Sequence, residues 1–349
     1  MSITKTCFGT TADGRQVDAF LIENKNNMKI QVITYGATLQ KAIVTDKEGK
    51  EIDVLVGFDD MKGFEERHDY QGMTVGPVAN RISAGGLTID GERVPVVTTH
   101  GDVTLHSNGD FSTAIWDAII TDSDSVEFSY LSPDGKEGFP GNKKVTVKYT
   151  LTDKNEIVID YTAVSDKKTA FNITNHAYFN LKGYDGGTIL DHTLYINADA
   201  FTPMNGELIP SGEIRAVEGT PFDFREPKEI GRDIGLDDEQ LKAGNGYDHN
   251  YCLNDYNGKM RLAASAVAPN GVKLECFTDM PGVQLYVGNF LCGKEGKNGV
   301  PMDFRTGFCL ETQYYPNATN TPTFKNCVFD KDEVMKSTTI YKITLRKCL

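Results

Sequence analysis

Two stretches, Val145-Thr-Val-Lys-Tyr-Thr-Leu151 and Ile157-Val-Ile-Asp-Tyr161, decide the class of fold. In an extended chain successive side chains point to opposite faces. Val145, Val147, Tyr149 and Leu151 therefore fall on one side of a strand, and Ile157, Ile159 and Tyr161 on one side of another. Period-two alternation of this kind predicts half-buried strands. It recurs along the chain, less cleanly at Ile340 and Ile343. Turn signals separate the runs: Asp13-Gly14, Asp90-Gly91, Pro133-Asp134-Gly135, Asn257-Gly258 and Pro269-Asn270-Gly271, spaced as in a protein built of hairpins. Helix signals are few. The best are residues 227–234 and 237–242, the second opening on acids that suit the positive end of a helix dipole. No repeat, low-complexity tract or Pro/Ser-rich linker divides the sequence, so residues 1–349 are predicted to form a single large antiparallel all-β domain with a few short helices. Residues 34–90 carry the least certain pattern, and 330–333 read as solvated loop.

Composition narrows the partners. Lys and Arg number 36 against 49 Asp and Glu, a formal charge of −13 over 349 residues. Long-range repulsion disfavours nucleic acid and anionic membranes, and a small neutral or cationic ligand fits better. Residues 1–15 hold no apolar signal core, and no stretch approaches the roughly eighteen apolar residues of a spanning helix. A soluble, unexported protein is expected. Cysteines stand at 7, 252, 276, 292, 309, 327 and 348, with no C-x-x-C pair and no clustering with histidine. This predicts no structural zinc, and reduced, mostly buried thiols in the cytoplasm. Asn172-Ile-Thr and Asn317-Ala-Thr match the glycosylation sequon but carry no weight without secretion.

Candidate site residues stand out by isolation. Residues 171–181 read Phe-Asn-Ile-Thr-Asn-His-Ala-Tyr-Phe-Asn-Leu. If extended, they gather Asn172, Thr174, His176, Tyr178 and Asn180 on one face, a row of uncharged hydrogen-bonding groups around the side chain whose ordinary pKa lies near neutrality. From Phe304 to Phe329 the only acid is Glu311, which shares a face with Cys309 and Gln313. A carboxylate on a largely apolar strand needs partners or it protonates, and Arg81 or Arg305 would satisfy it. Between Tyr70 and Asp90 the only charge is Arg81, a rigid fork of donors suited to hydroxyls or carboxylates. His106 precedes the turn-like Ser107-Asn108-Gly109, which places it at a strand end. Asp248 and His249 are adjacent, so only one of them points inward. His68, His100 and His192 sit among charged or turn residues and read as surface groups. No H-E-x-x-H, phosphate-cradling glycine loop, G-x-S-x-G elbow or G-x-G-x-x-G after a strand is present. Two histidines, one isolated Glu, an Asp, an Arg and a supply of Asn, Gln and Tyr suit a neutral polyhydroxylated ligand.

Six stretches in order complete the pattern: Gly76-Pro-Val-Ala-Asn-Arg-Ile; Leu105-His106; Thr174-Asn-His-Ala-Tyr-Phe-Asn-Leu; Gly246-Tyr-Asp-His; residues 278–289 with Pro281, Gln284 and Gly288-Asn289; and Leu310-Glu-Thr-Gln followed by Pro316-Asn-Ala. Together they resemble the aldose 1-epimerase, or galactose mutarotase, family over most of the chain. The resemblance implies one antiparallel β supersandwich domain that interconverts the α and β anomers of free aldohexoses such as galactose and glucose without a cofactor or metal. It makes Glu311 the base and His176 the acid, has His106 assist near the ring oxygen or C1, and gives the sugar hydroxyls to Asn80, Arg81 and Asp248. Tyr178 would cover an apolar sugar face. An ionised Glu311 beside a protonated His176 is expected to lower the carboxyl pKa and raise that of the imidazole.

There are two departures from the family pattern. Gly-Gly commonly follows the family's histidine, where this chain has Ser107-Asn108, and two glycines allow torsions that Ser is not expected to take. Pro77 stands where many members carry Arg. Three other readings compete: a glycoside hydrolase using Asp248 and Glu311 as its carboxyl pair, a non-catalytic sugar-binding module, and an epimerase of sugar phosphates, for which only Arg81 and Arg305 offer charge.

Overall fold

The computed structural model describes residues 1–66 and 69–345; His68 and Cys348 lie outside the described residues. Three antiparallel sheets carry the architecture. The first takes Ser2–Thr10, Gln16–Glu23, Lys29–Ile33, Thr38–Thr45 and Glu51–Asp53 in chain order. The second has nine strands in the order Asp117–Asp122, Ser125–Ser132, Lys143–Leu151, Glu156–Ser165, Met335–Leu345, Val272–Thr278, Arg261–Val267, Thr193–Ile196 and Lys228–Glu229. The third runs Arg215–Ala216, Ala198–Phe201, Asp248–Leu253, Gly282–Tyr286 and Cys309–Gln313. One cluster of buried apolar residues draws on all three, with Phe20 and Val32 from the first, Val147 and Tyr161 from the second, and Tyr251 and Leu310 from the third.

The alternation that predicts the class is the one that builds the core. Lys143–Leu151 and Glu156–Ser165 pair with Val147 opposite Tyr161 and Tyr149 opposite Ile159, all buried on one face. Each such apolar side chain contributes roughly 1.5–3 kcal/mol by leaving water. At the turns Gly135 and Gly258 take φ of 76° and 75°, the left-handed region that glycine enters without a Cβ penalty. Residues 330–334 are exposed, as solvated loop should be.

Several expectations are corrected. Residues 227–234 are not helical: Lys228–Glu229 is an edge strand, and the amides of Ile230 and Gly231 are drawn to the carbonyls of His192 and Leu190. A buried Lys228 holds the segment, its ammonium on Pro221 O and Asp233. The second helix does form, as Glu239–Ala243, with the Asp238 carboxylate capping the amides of Gln240 and Leu241. Within residues 34–90 the helix Met61–Glu66 had no clear sequence signal. Met335–Leu345 buries its odd-numbered residues as far as Ile343, so Ile343 faces the core and Ile340 does not, a three-residue spacing putting them on opposite faces. Of the six described cysteines, none of them paired, only Cys276, Cys309 and Cys327 are buried. His192 is fully buried rather than on the surface, its Nε2 accepting from the Leu181 amide. His100 is exposed.

Candidate active site

The register of the third sheet assembles one wall. Asp248 lies opposite Tyr286, which lies opposite Cys309; the next row pairs Asn250 with Gln284 and Gln284 with Glu311. Residues directly opposite share a face, so six polar or aromatic side chains from three strands look the same way. The other face of Cys309–Gln313 packs inward: Leu310 O accepts from the Tyr341 hydroxyl, and Thr312 bonds Thr339, both partners being on the nine-stranded sheet. Glu311 therefore stands on a strand fastened from behind, 2% exposed.

Three short segments close over this wall. Arg81–Ile82 pairs with Thr104–Leu105 and sets Asn80, Arg81 and His106 side by side. His106 and Asn80 are tied twice, the His106 amide to Asn80 O at 2.9 Å and the Asn80 amide to His106 Nδ1 at 3.2 Å. His176 sits between the bridges Thr174–Asn175 and Tyr178–Phe179. A cavity of about 140 Å³ results, lined by Asn80, Arg81, His106, His176, Tyr178, Asp248 and Glu311 together with Asp69, Tyr70, Leu105, Tyr286 and Phe290. Phe290 stands exposed at the rim, stacked on Tyr286 with ring planes 16° apart.

Within the cavity the two ion-pair contacts are loose. His176 Nε2 lies 3.6 Å from Glu311 Oε1, and Arg81 Nη1 lies 3.9 Å from Asp248 Oδ2. Glu311 Oε2 is buried and makes no hydrogen bond. Gln284 donates to Asp248 Oδ1 at 2.7 Å, and Cys309 Sγ approaches His176 Nδ1 at 3.4 Å. The rings of Tyr178 and Tyr70 lie nearly parallel to that of His176, with centroids 5.0 and 6.0 Å away.

Burial dominates the titrations. It pushes Glu311 well above the usual carboxylate range, reinforced by the Asp248 charge and opposed by Arg81. It brings His176 down to about 4. His106 is lowered well below its ordinary value by burial and then by His176 and Arg81, and Asp248 is raised by burial against the pull of Arg81 and Gln284. The expectation of a low Glu311 and a high His176 is thus reversed in the free protein, because desolvation of each charge outweighs their attraction. Between those limits the pair holds one proton for two basic sites. His106, His176 and Glu311 also bring one ligating atom each to within 4.8 Å of one another, a spacing that by position alone suits a cation. Chemistry opposes it: the Asn80 amide occupies Nδ1 of His106, so the neutral ring carries its proton on Nε2 and offers a donor there.

All seven residues to which the family resemblance gives a role line this one cavity. Of the polar row around His176, however, only His176 and Tyr178 do. Asn172 bonds the backbone of Tyr314, Asn180 donates to Gly187 O and Thr306 O, and Asn175 from the other face donates to Gly72 O. These amides fasten loops instead of facing a ligand. Arg305 turns to Asn289 and Asn245, leaving Arg81 as the guanidinium of the site. Asp248 faces the cavity while His249 points into the core between Phe201 and Phe222. Ser107 takes φ 51° despite its Cβ. Tyr70, Tyr286 and Phe290 went unpredicted; only Tyr286 carried a signal, two residues beyond Gln284 on one strand.

The chain is similar to known proteins over nearly its whole length. The family model described as aldose 1-epimerase matches residues 18–342. Galactose mutarotase of Bos taurus is 40% identical over 348 residues, covering 99% of each chain. Among solved structures, an aldose epimerase homologue from C. elegans superposes with a TM-score of 0.86 at 30% identity, over 94% of this chain and 98% of that one. Galactose 1-epimerase from Lactobacillus acidophilus gives 0.88 at 28%, over 99% and 100%. On a match of this extent, the chain belongs to the aldose 1-epimerase family.

Proposed function

We propose that this protein is a mutarotase interconverting the α and β anomers of free aldohexoses such as galactose and glucose, and that it acts as a single domain. The observation that carries the reading is the His176–Glu311 pair, one acid and one base 3.6 Å apart in a cavity otherwise made for hydroxyls. Ring opening removes the proton of the C1 hydroxyl and delivers one to the ring oxygen as the C1–O5 bond breaks, so a pair sharing one proton holds what the step needs. With the shared proton on His176, Glu311 takes the C1 hydroxyl proton and His176 supplies the other. After the open-chain aldehyde turns about C1–C2, closure on the opposite face reverses both transfers and returns the pair to its starting state. No cofactor is consumed.

His106 donates from Nε2 beside the reacting centre. Arg81 and Asp248 hold hydroxyls through charge-assisted bonds and Asn80 through neutral ones, and Tyr178 presents its ring to the sugar while backing His176. A phosphorylated sugar fits poorly, since Arg81 already faces Asp248 and Arg305 lies elsewhere. No described helix is long and apolar enough to cross a membrane; the six unpaired thiols support a reducing, cytoplasmic setting. Nucleic acid and membrane are not partners on the charge argument above.

Polarimetry of freshly dissolved α-D-galactose and α-D-glucose tests the reading. Wild-type protein should speed the approach to anomeric equilibrium, with Glu311→Gln and His176→Asn near the uncatalysed rate. Full activity in Glu311→Gln would sink the acid–base assignment. Release of sugar from an aryl glycoside would instead favour hydrolysis.

A further inference from the structure

The turn that carries His106 is strained, and a hydroxyl holds it. Four residues in a row adopt positive φ: His106 at 50°, Ser107 at 51°, Asn108 at 52° and Gly109 at 79°. Only the last is glycine, and each of the others meets the Cβ crowding that keeps L-residues out of this region. Ser107 is fully buried. Its Oγ accepts from the Val78 amide at 2.9 Å and donates to Val78 O at 2.8 Å. Two residues along the same segment, His106 and Asn80 exchange the pair of bonds described above. Leu105 pairs with Arg81 in the regular ladder just before. The hydroxyl of Ser107 thus stands in for a backbone amide and carbonyl where the left-handed turn has swung the chain out of register.

We propose that Ser107 is a positioning residue for His106. Its two bonds to Val78 fasten the turn to the segment bearing Asn80 and Arg81, and so hold the imidazole with Nδ1 on the Asn80 amide and Nε2 toward the cavity. The inference rests on the proposed function for the use made of His106, but the placement of the ring is a separate matter with its own readout. A side chain with a single, flexible hydroxyl serves both partners of Val78 at once, since an O–H donates one bond and its lone pairs accept another. Alanine would keep the Cβ crowding and lose the bonds. Glycine would lose the bonds too, yet enter the left-handed region freely. A residue that merely fills space gives the opposite order, glycine being the more damaging.

The test compares Ser107→Ala and Ser107→Gly by polarimetry and by ¹⁵N-detected imidazole spectra, in which protonated and bare ring nitrogens are well separated. Wild-type His106 should show a bare Nδ1 and a protonated Nε2. Ser107→Ala should lose that single tautomer and drop between about 10- and 100-fold in kcat, the scale of a misplaced catalytic group. Ser107→Gly should fall less. A wild-type rate with wild-type His106 signals in either variant would overturn the proposal, as would glycine proving worse than alanine. If the alanine variant does not fold, the glycine variant alone decides, because it also lacks the hydroxyl. His106→Asn separates the two claims: full activity there removes His106 from the mechanism, while the imidazole spectra of the Ser107 variants still report whether Ser107 holds the ring.

Discussion

Lys297 and Glu311 are both ionisable side chains shut away from water, and their surroundings differ in kind. The Lys297 ammonium has three donors and uses all of them, on Asp53 Oδ2 at 2.7 Å, Leu55 O at 2.9 Å and Gln40 O. Glu311 has one oxygen 3.6 Å from an imidazole and the other without any hydrogen bond. A buried charge whose bonding capacity is full belongs to the scaffold. One left open keeps that capacity for something that arrives, and the cost of holding it so falls on stability.

The strongest way to break this contrast is to neutralise each group. Glu311→Gln should lose about 10³-fold or more in kcat/KM, since the base is gone, yet leave Tm unlowered. Lys297→Met should do the reverse. Stranding the Asp53 carboxylate without its ammonium should cost about 3–5 kcal/mol, read by urea unfolding, while each molecule that remains folded turns over normally. A Glu311→Gln protein that unfolds easily, or a Lys297→Met protein that folds well but is inactive, would erase the distinction.

The pH profile of kcat/KM sharpens it. The rate should fall as pH drops through about 4, where His176 takes a second proton into the pair, and fall again at higher pH when Glu311 gives up its own. Asp248 raises the Glu311 pKa. Asp248→Asn should therefore move the upper limb to lower pH, along with a weaker KM from the lost hydroxyl contact. A limb that stays in place would mean that the two carboxyls do not sense each other.

The smallest effect concerns His249, buried and brought down by burial to about 3. Its unfolded value is near 6.5, so at pH 5 the unfolded chain binds a proton that the folded one refuses, and stability declines as pH falls below about 6.5. His249→Phe removes that proton. From pH 7 to pH 5 its Tm should drop less than that of the wild type, by about 3 °C for a contribution near 2 kcal/mol. Equal slopes in the two proteins would show that His249 stays charged in the fold.

Legibility from sequence followed the physics of each region. Strands such as Lys143–Leu151 have one buried and one half-exposed face, and that asymmetry is written as alternation. Arg81 was visible as the only charge, and Glu311 as the only acid, of a long stretch, an isolation with few explanations other than enclosure. The run around His176 misled in part because nearly everything in it is buried. With no solvent side, Asn172 and Asn180 look like ligand groups when they serve neighbouring backbone. Segment 227–234 lost its helical reading to long-range pairing with residues 190–194, which no local pattern records. Tyr70 and Phe290 lie outside the described strands, where sequence spacing says nothing of direction.

The strand Cys309–Gln313 has one side in the cavity and the other bonded to Tyr341 and Thr339. The base it carries thus inherits the rigidity of the largest sheet and has no hinge of its own. Adaptation to a different sugar has little room at that wall, where any shift must repack the interior. It is left to the margin at the exposed Phe290, which a few substitutions could reshape while the proton-transfer machinery stays as it is.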